Sequence, residues 1–504
     1  MSPAPSNAPP REKEGVLDVA IIGAGFSGIC MGIKLRAGGI SNFRIFEKSR
    51  GVSGTWWDNT YPGAACDVPS HLYCFSFELN PSWSRVFSPQ VEIQDYVRHC
   101  VAKYGIAAHI QLQTEIHRAV FNEKTGCWRL TDGMGKTTDA RCVVSGVGGL
   151  SEPNIPDIPG LNNFEGTWFH SARWKHHHTL KDKRVAVIGS AASAIQIVPQ
   201  IAPNVEKLYL FQRTANYIVP RNDRAYTDQE KKRFKQYPFL MRLLRWKIFW
   251  RLNMNFSLFR QKSWMGLWAS KQSLKDMRRK IDDATLQDKL TPRYPIGCKR
   301  ILLSDDFYPA LNRGNVHLIT DGIRTITQDG IRLRNGETRK VDTIILATGF
   351  RPFDFFHLLD FEGLAGRRLS DVWRGSLEAL RGVSVTGFPN LFFLLGPNTA
   401  LGHNSIIFMI EQQVSYIVQC IKGLGKNTYI DAKPSAMQRY NARIQSALAN
   451  TVWAADCPSW YKTSDGKIPT LWPYNTVRYW RWMRTPDLSE FNSVSIPDTC
   501  SADL

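Results

Sequence analysis

The sequence lacks the pairs and runs that would place it in several large classes. None of its ten cysteines forms a C-x-x-C pair, which excludes a zinc ribbon and a dithiol redox centre. Thiols scattered in this way are expected to be reduced. His176, His177 and His178 are consecutive, so they share no face of a helix or strand, and no metal site is expected. No apolar run is long enough to cross a bilayer. Residues 1–16 are polar and proline-rich without an apolar leader core, and read as a disordered lead-in to a cytoplasmic protein. Acid is scarce in one place: residues 231–280 hold fifteen Lys and Arg against Asp276 alone, a local +14 within a net charge of +20.

What is present fits a globular chain of two or three domains: 504 residues, 43% hydrophobic and 21% charged. Leu17–Gly23 is a short apolar run ending in glycine, followed by a helical stretch from Ser27 to Arg36 and a second strand, Phe43–Glu47. Gly23, Gly25 and Gly28 form G-x-G-x-x-G at the strand-to-helix turn. Such glycines allow a tight turn, close approach of backbone to a pyrophosphate, and close helix packing. The following helix N-terminus, with Phe26 and Ser27, offers free N–H groups to the anion. Glu47 ends the second strand and suits ribose hydroxyls while repelling a 2′-phosphate.

The same design recurs downstream. Lys183–Gly189 is a strand, Ala192–Ile201 a helix and Lys207–Phe211 the next strand. The glycine pattern is altered: Gly189-Ser190-Ala191-Ala192-Ser193-Ala194 puts Ala at the second and third glycine positions. Ser190 and Ser193 add hydroxyl donors. Twenty-four positions separate Gly23 from Glu47 and Gly189 from Arg213. The corresponding residue is therefore an acid in the first unit and a base in the second. A guanidinium there binds a 2′-phosphate bidentately. We read FAD on the first unit and NADPH, in preference to NADH, on the second.

Two further stretches carry a family resemblance. Residues 54–67 fit Gly-x-Trp-x4-Tyr-Pro-Gly-x3-Asp through Gly54, Trp56, Tyr61, Pro62, Gly63 and Asp67. Residues 164–174 fit Phe-x-Gly-x3-His-x3-Trp through Phe164, Gly166, His170 and Trp174, between the two dinucleotide units. Lys175 stands where a Pro or Asp usually follows. The chain here resembles the Baeyer–Villiger monooxygenases, flavoenzymes that insert oxygen beside a ketone carbonyl. Gln212-Arg213-Thr214, Lys299-Arg300 and Asn312-Arg313-x-Asn315-Val316 extend the resemblance.

The resemblance implies an α/β fold with two Rossmann-like domains. The FAD domain takes residues 17–160 and 351–504, and the NADPH domain 161–350, with a helical insert at about 225–295. It implies that Thr55, Trp56, Asp67 and Tyr73 line the flavin. It also implies that Ala65, Cys66, Asp67, Gln196, Thr214 and Lys299 join Gly189–Ser193 and Arg213 around NADPH. Arg300 becomes the catalytic arginine, oriented by Asp67. Phe164, Gly166, His170 and Trp174 become the link between domains. The implied reaction takes a ketone and O2 to an ester or lactone through a flavin C4a-peroxide. Alternatives are an N- or S-oxygenating flavin monooxygenase and a nucleotide-sensing or membrane-surface protein without turnover.

Some stretches stay open. In Phe234–Met277 the apolar residues surround the basic ones too closely for a clean stripe to be expected. A helical subdomain packed on the nucleotide domain is preferred over weak contact of 231–280 with a membrane surface, and nucleic acid is not expected as a partner. Lys340–Phe350 reads as one buried strand ending in Ala347-Thr348-Gly349. Glu411–Ile421 reads as a helix. Trp453, Trp460, Tyr461, Trp472, Tyr474, Tyr479, Trp480 and Trp482 all suit either core or a ketone pocket.

Overall fold

A computed structural model describes residues 15–351, 359–375, 377–457, 459–463 and 465–497. The expected lead-in, residues 1–16, lies outside the described residues except for Gly15 and Val16.

Two sheets organise the chain. The first is built on β1 (Leu17–Ile22), which is followed by helix α1 (Phe26–Ala37) and β2 (Phe43–Phe46). Val19, Ala20 and Ile21 are fully buried, as expected of a parallel strand covered on both faces. β1 pairs in parallel with β2 and with the strand Thr137–Ser145. An antiparallel pair, Ile116–Asn122 and Cys127–Asp132, extends this sheet on one side, and Ile110–Gln111 extends it on the other. Asp360–Glu362 and Leu391–Phe393 return to it from late in the chain.

The second sheet is wholly parallel, in the order Val316–Ile319, Lys207–Phe211, Arg184–Ile188, Thr343–Leu346, Thr167–His170. Helix Ala192–Ile201 follows its central strand as α1 follows β1. Lys340–Phe350 is not one strand. Thr338–Lys340 belongs to a separate small antiparallel sheet, and the break falls at Asp342, whose carboxylate pairs with Arg184 and accepts its backbone N–H.

The basic region is four helices: Asp228–Gln236, Pro238–Met254, Trp264–Lys280 and Ala284–Lys289. Their starts are written in the sequence. Thr227 and Glu230 form a capping box, Pro238 occupies the first turn, and Ser263 and Asp283 cap the others. The absence of a single clean apolar stripe has its reason here: the helix Pro238–Met254 carries apolar residues on two sides. Met241 and Ile248 face inward, while Phe239, Leu243, Trp246, Trp250 and Met254 are all exposed and recur at the spacing of one helix face.

A second correction concerns sulfur. Cys298 and Cys457 form a disulfide across a Cα–Cα distance of 6.6 Å, so the chain is not fully reduced as expected. Spacing could not show this, because the two residues meet only through tertiary folding. Among the described residues no helix is long and apolar enough to cross a membrane. No group of three or more His, Cys, Asp or Glu among them is placed to hold a metal. The consecutive histidines are split: His176 bonds Thr60, and His178 bonds Thr343.

Candidate active site

The first cradle begins where β1 ends. Gly23 adopts φ +97°, which favours glycine. A side chain on Gly28 would place its Cβ 1.9 Å from the Gly23 carbonyl oxygen, so the helix can approach only because residue 28 has none. No side chain caps the N-terminus of α1, and Gly25, Phe26 and Ser27 line a cavity there. Glu47 is buried, and its carboxylate accepts N–H bonds from Ala24 (2.7 Å) and Ser49 (2.8 Å). Each oxygen keeps a lone pair for a ribose hydroxyl. Gly54 (φ +54°) lies across from Gly25, and a Cβ on Gly54 would come 3.1 Å from the Gly25 Cα. Behind it the Trp56 indole donates to the Tyr73 hydroxyl at 3.1 Å. Burial pushes the Tyr73 hydroxyl well above its usual range, so it stays protonated.

The second cradle repeats this plan. Gly189 has φ +111°, and no side chain caps the helix that starts at Ala192. Ser190, Ala191, Ala192 and Ser193 line the same cavity. Arg213 is exposed and pairs with no carboxylate among the described residues. Lys299 also reaches this end, and burial and then the Arg213 charge lower its pKa. Two unneutralised cations held together fit a dianionic phosphate.

Between the cradles the Arg300 guanidinium donates from Nε and Nη2 to one oxygen of Asp67, the former at 3.0 Å. The Asp67 charge is the largest influence on Arg300 and raises its pKa further. The Arg300 side chain is 43% exposed because the cavity it lines is open. Tyr61 donates to Gln196 at 3.0 Å, and Gln196 donates to the Ala65 carbonyl at 3.0 Å. These two bonds tie the Asp67 loop to the helix of the second cradle. One cavity of about 1340 Å³ spans both cradles and Arg300.

The structure brings most of the expected residues to this cavity: Gly23, Gly25, Phe26, Ser27, Glu47, Thr55, Trp56, Ala65, Cys66, Asp67, Tyr73, Gly189 to Ser193, Gln196, Arg213, Thr214, Lys299 and Arg300. Gly28 packs beneath it. Phe164, Gly166, His170 and Trp174 do not line it. Phe164 is core, and Trp174 packs on the second sheet's core. Gly166 lies where a Cβ would meet the Asp342 carbonyl at 2.6 Å. His170 is buried, accepts the Ala172 N–H, and is held neutral by burial, with its pKa lowered to about 4.

Some residues at the site escaped the sequence reading, and two others, Trp460 and Tyr461, had been left open between core and pocket. Tyr461 lies beside Arg300, and burial raises its pKa while the Arg300 charge opposes this. Trp460, Asn216, Leu395–Pro397 and Thr399–Leu401 also line the cavity. Asn216 donates to the Ser190 carbonyl at 2.9 Å. Trp453, Trp472 and Tyr479 are core instead.

The flavin-binding monooxygenase-like family matches residues 17–361. A Baeyer–Villiger monooxygenase of Pseudomonas aeruginosa is 44% identical, covering 95% of this chain and 92% of that protein. One of Streptomyces coelicolor is 40% identical, covering 94% and 92%. The chain belongs to the flavin-binding monooxygenase-like family, among its Baeyer–Villiger monooxygenases. The crystal structure of cyclohexanone monooxygenase from Rhodococcus sp. Phi1 bound to NADP+ has the same fold. It matches at a TM-score of 0.86 and 27% identity, covering 95% of this Baeyer–Villiger monooxygenase and 99% of the crystal structure's chain.

Proposed function

We propose that the protein is an FAD- and NADPH-dependent monooxygenase that inserts an oxygen atom from O2 beside the carbonyl of a small ketone, giving an ester or lactone. The observation that carries this is the Arg300–Asp67 pair, set in one cavity between an acid-ended and a base-ended cradle. In this reading residues 17–160 and 351–504 form the FAD domain and 161–350 the NADPH domain. The proposed place of action is the cytoplasm; among the described residues seven thiols are free beside the Cys298–Cys457 disulfide.

The bound flavin supplies the hydride and oxygen chemistry; Gly23–Ser27, Glu47, Thr55, Trp56 and Tyr73 hold it. Arg213 and Lys299 hold the 2′-phosphate of NADPH, and Gly189–Ser193 hold its pyrophosphate. Arg300 donates hydrogen bonds to the ketone oxygen, where negative charge grows as the carbonyl is attacked. A guanidinium suits this role because it stays charged at every working pH. Asp67 fixes its direction and partners its charge, which would otherwise be costly inside the protein. The apolar walls contributed by Leu395, Leu401, Ile406 and Ile410 keep water from the reacting atoms.

The test is Arg300→Ala. NADPH should still bleach the bound flavin, while ester formation from a panel of linear, cyclic and aryl ketones falls about 100- to 1000-fold. Product mass spectrometry reads the outcome, and undiminished ester from the variant contradicts the assignment.

A further inference from the structure

The helical insert carries a surface that the reaction does not use. On the helix Pro238–Met254, Phe239 (62% exposed) and Trp246 (61%) stand with Leu243, Trp250 and Met254 on the side away from the buried Met241 and Ile248. Arg242, Lys247 and Arg251 are exposed along the flanks of that stripe. The helix Trp264–Lys280 repeats the combination end to end. Trp264 (74% exposed), Leu267 and Trp268 occupy its first turns. Lys271, Lys275 and Arg279 continue on the same face at helical spacing. Large exposed aromatics bordered by bases, in a segment of local charge +14, are poorly explained by solvent alone.

A cleft of about 590 Å³ adjoins the stripe, with Trp250 common to both. Arg260, Arg443, Arg478 and Arg481 converge on it. None of the four pairs with a carboxylate among the described residues. Arg443 lies 4.5 Å over the Trp482 ring, and Arg478 lies 4.3 Å over Tyr474. The rings orient the guanidiniums without neutralising them. Such a cleft suits an anion with several oxygen acceptors.

We propose that this face docks on an anionic lipid bilayer, with the exposed aromatics at the headgroup–acyl boundary and the arginine cleft taking a lipid phosphate. Trp and Phe gain most at that boundary, and flanking Lys and Arg meet the negative surface. A second copy of the chain is disfavoured as occupant, because a symmetric contact sets two strongly positive segments face to face. Nucleic acid satisfies the arginines but not a stripe of Phe, Leu and Met. The bilayer contact is peripheral, and it is independent of the reaction assigned above.

The holoenzyme is sedimented with vesicles of phosphatidylcholine alone and with vesicles of equal parts phosphatidylcholine and phosphatidylglycerol. It should pellet with the mixed vesicles only, and added salt should release it. The variants Arg478→Gln/Arg481→Gln and Trp246→Gln/Trp264→Gln/Trp268→Gln should each weaken partitioning at least about tenfold. NADPH oxidation in solution should be unchanged in both, which shows that they fold. Any of the following overturns the proposal: no pelleting, equal pelleting with both vesicles, or variants that bind as the parent does. So does a dimer in light scattering that the tryptophan variant dissolves, or duplex DNA bound as tightly as the mixed vesicles.

Discussion

The two cradles share a plan and differ at the residues proposed above to choose their nucleotides. Both open on a left-handed glycine whose N–H reaches a carbonyl at the end of the next strand: Gly23 to Phe46 at 2.7 Å, and Gly189 to Phe211 at 3.0 Å. Both lead into an uncapped helix. Then they part. Where the first has Gly28, which no side chain can replace without striking the Gly23 carbonyl, the second has Ala194, fully buried. Where the first has Glu47, satisfied by two backbone N–H groups, the second has Arg213, exposed and beside another cation. The Glu47 carboxylate is held by the fold, while the second cradle has positive charge left over for a ligand. In the proposed reading, a repeated backbone would set where each pyrophosphate sits, while one terminal side chain would set which nucleotide arrives.

Exchanging the helix residues should break the comparison most visibly. Gly28→Ala is expected to cost about 3 kcal/mol or more and to yield protein without flavin, read from its visible absorbance. Ala194→Gly should cost about 1 kcal/mol and leave flavin bound. If both variants retain flavin equally, the two helix approaches are not different in kind.

Acid separates the regions in another way. His71 and His403 pack against the insert, through Phe234 and through Phe256 and Phe259 respectively, while His170 lies on the second sheet. Burial lowers their pKa values to about 4, about 3 and about 4. The unfolded chain binds protons at these sites below about pH 6.5, and the fold does not. Stability from the three is therefore present above pH 6.5 and is lost as pH falls towards 4. Asp431, raised to about 6 by burial, and Asp58 and Glu411, also raised by burial, push the other way. Thermal unfolding from pH 7 to pH 4 should show a falling Tm, with His403→Gln flattening the fall. A rising Tm would mean that the carboxylates dominate.

Much of this was legible in the sequence because it is local. The strand–glycine–helix units, the twenty-four-residue offset that ends in Glu47 or Arg213, and the helix caps at Thr227, Ser263 and Asp283 all sit within short windows. Arg300 and Asp67 were found through family resemblance, since nothing in their separate surroundings requires them to meet. Whether Tyr461 was core or pocket, and the Cys298–Cys457 bond, could not be read for that reason: their partners are distant in the chain. The exposed stripe on Pro238–Met254 was hidden differently. Its inward face is narrow, so the apolar residues on the two sides of one helix blurred into a single mixed pattern.

The smallest effect on the comparison is expected from Lys299→Ala. Removing one of two cations should raise the NADPH KM by about tenfold and leave NADH unchanged. A change shared by both nucleotides would move Lys299 away from the phosphate.

The most direct measurement is the ratio of kcat/KM for NADPH to that for NADH, in the parent and in Arg213→Ala, with flavin content recorded for each. The account predicts a parent that favours NADPH and a variant whose ratio falls by about 10- to 100-fold, both equally yellow. A parent that favours NADH, or a ratio that Arg213→Ala leaves unchanged, would contradict it.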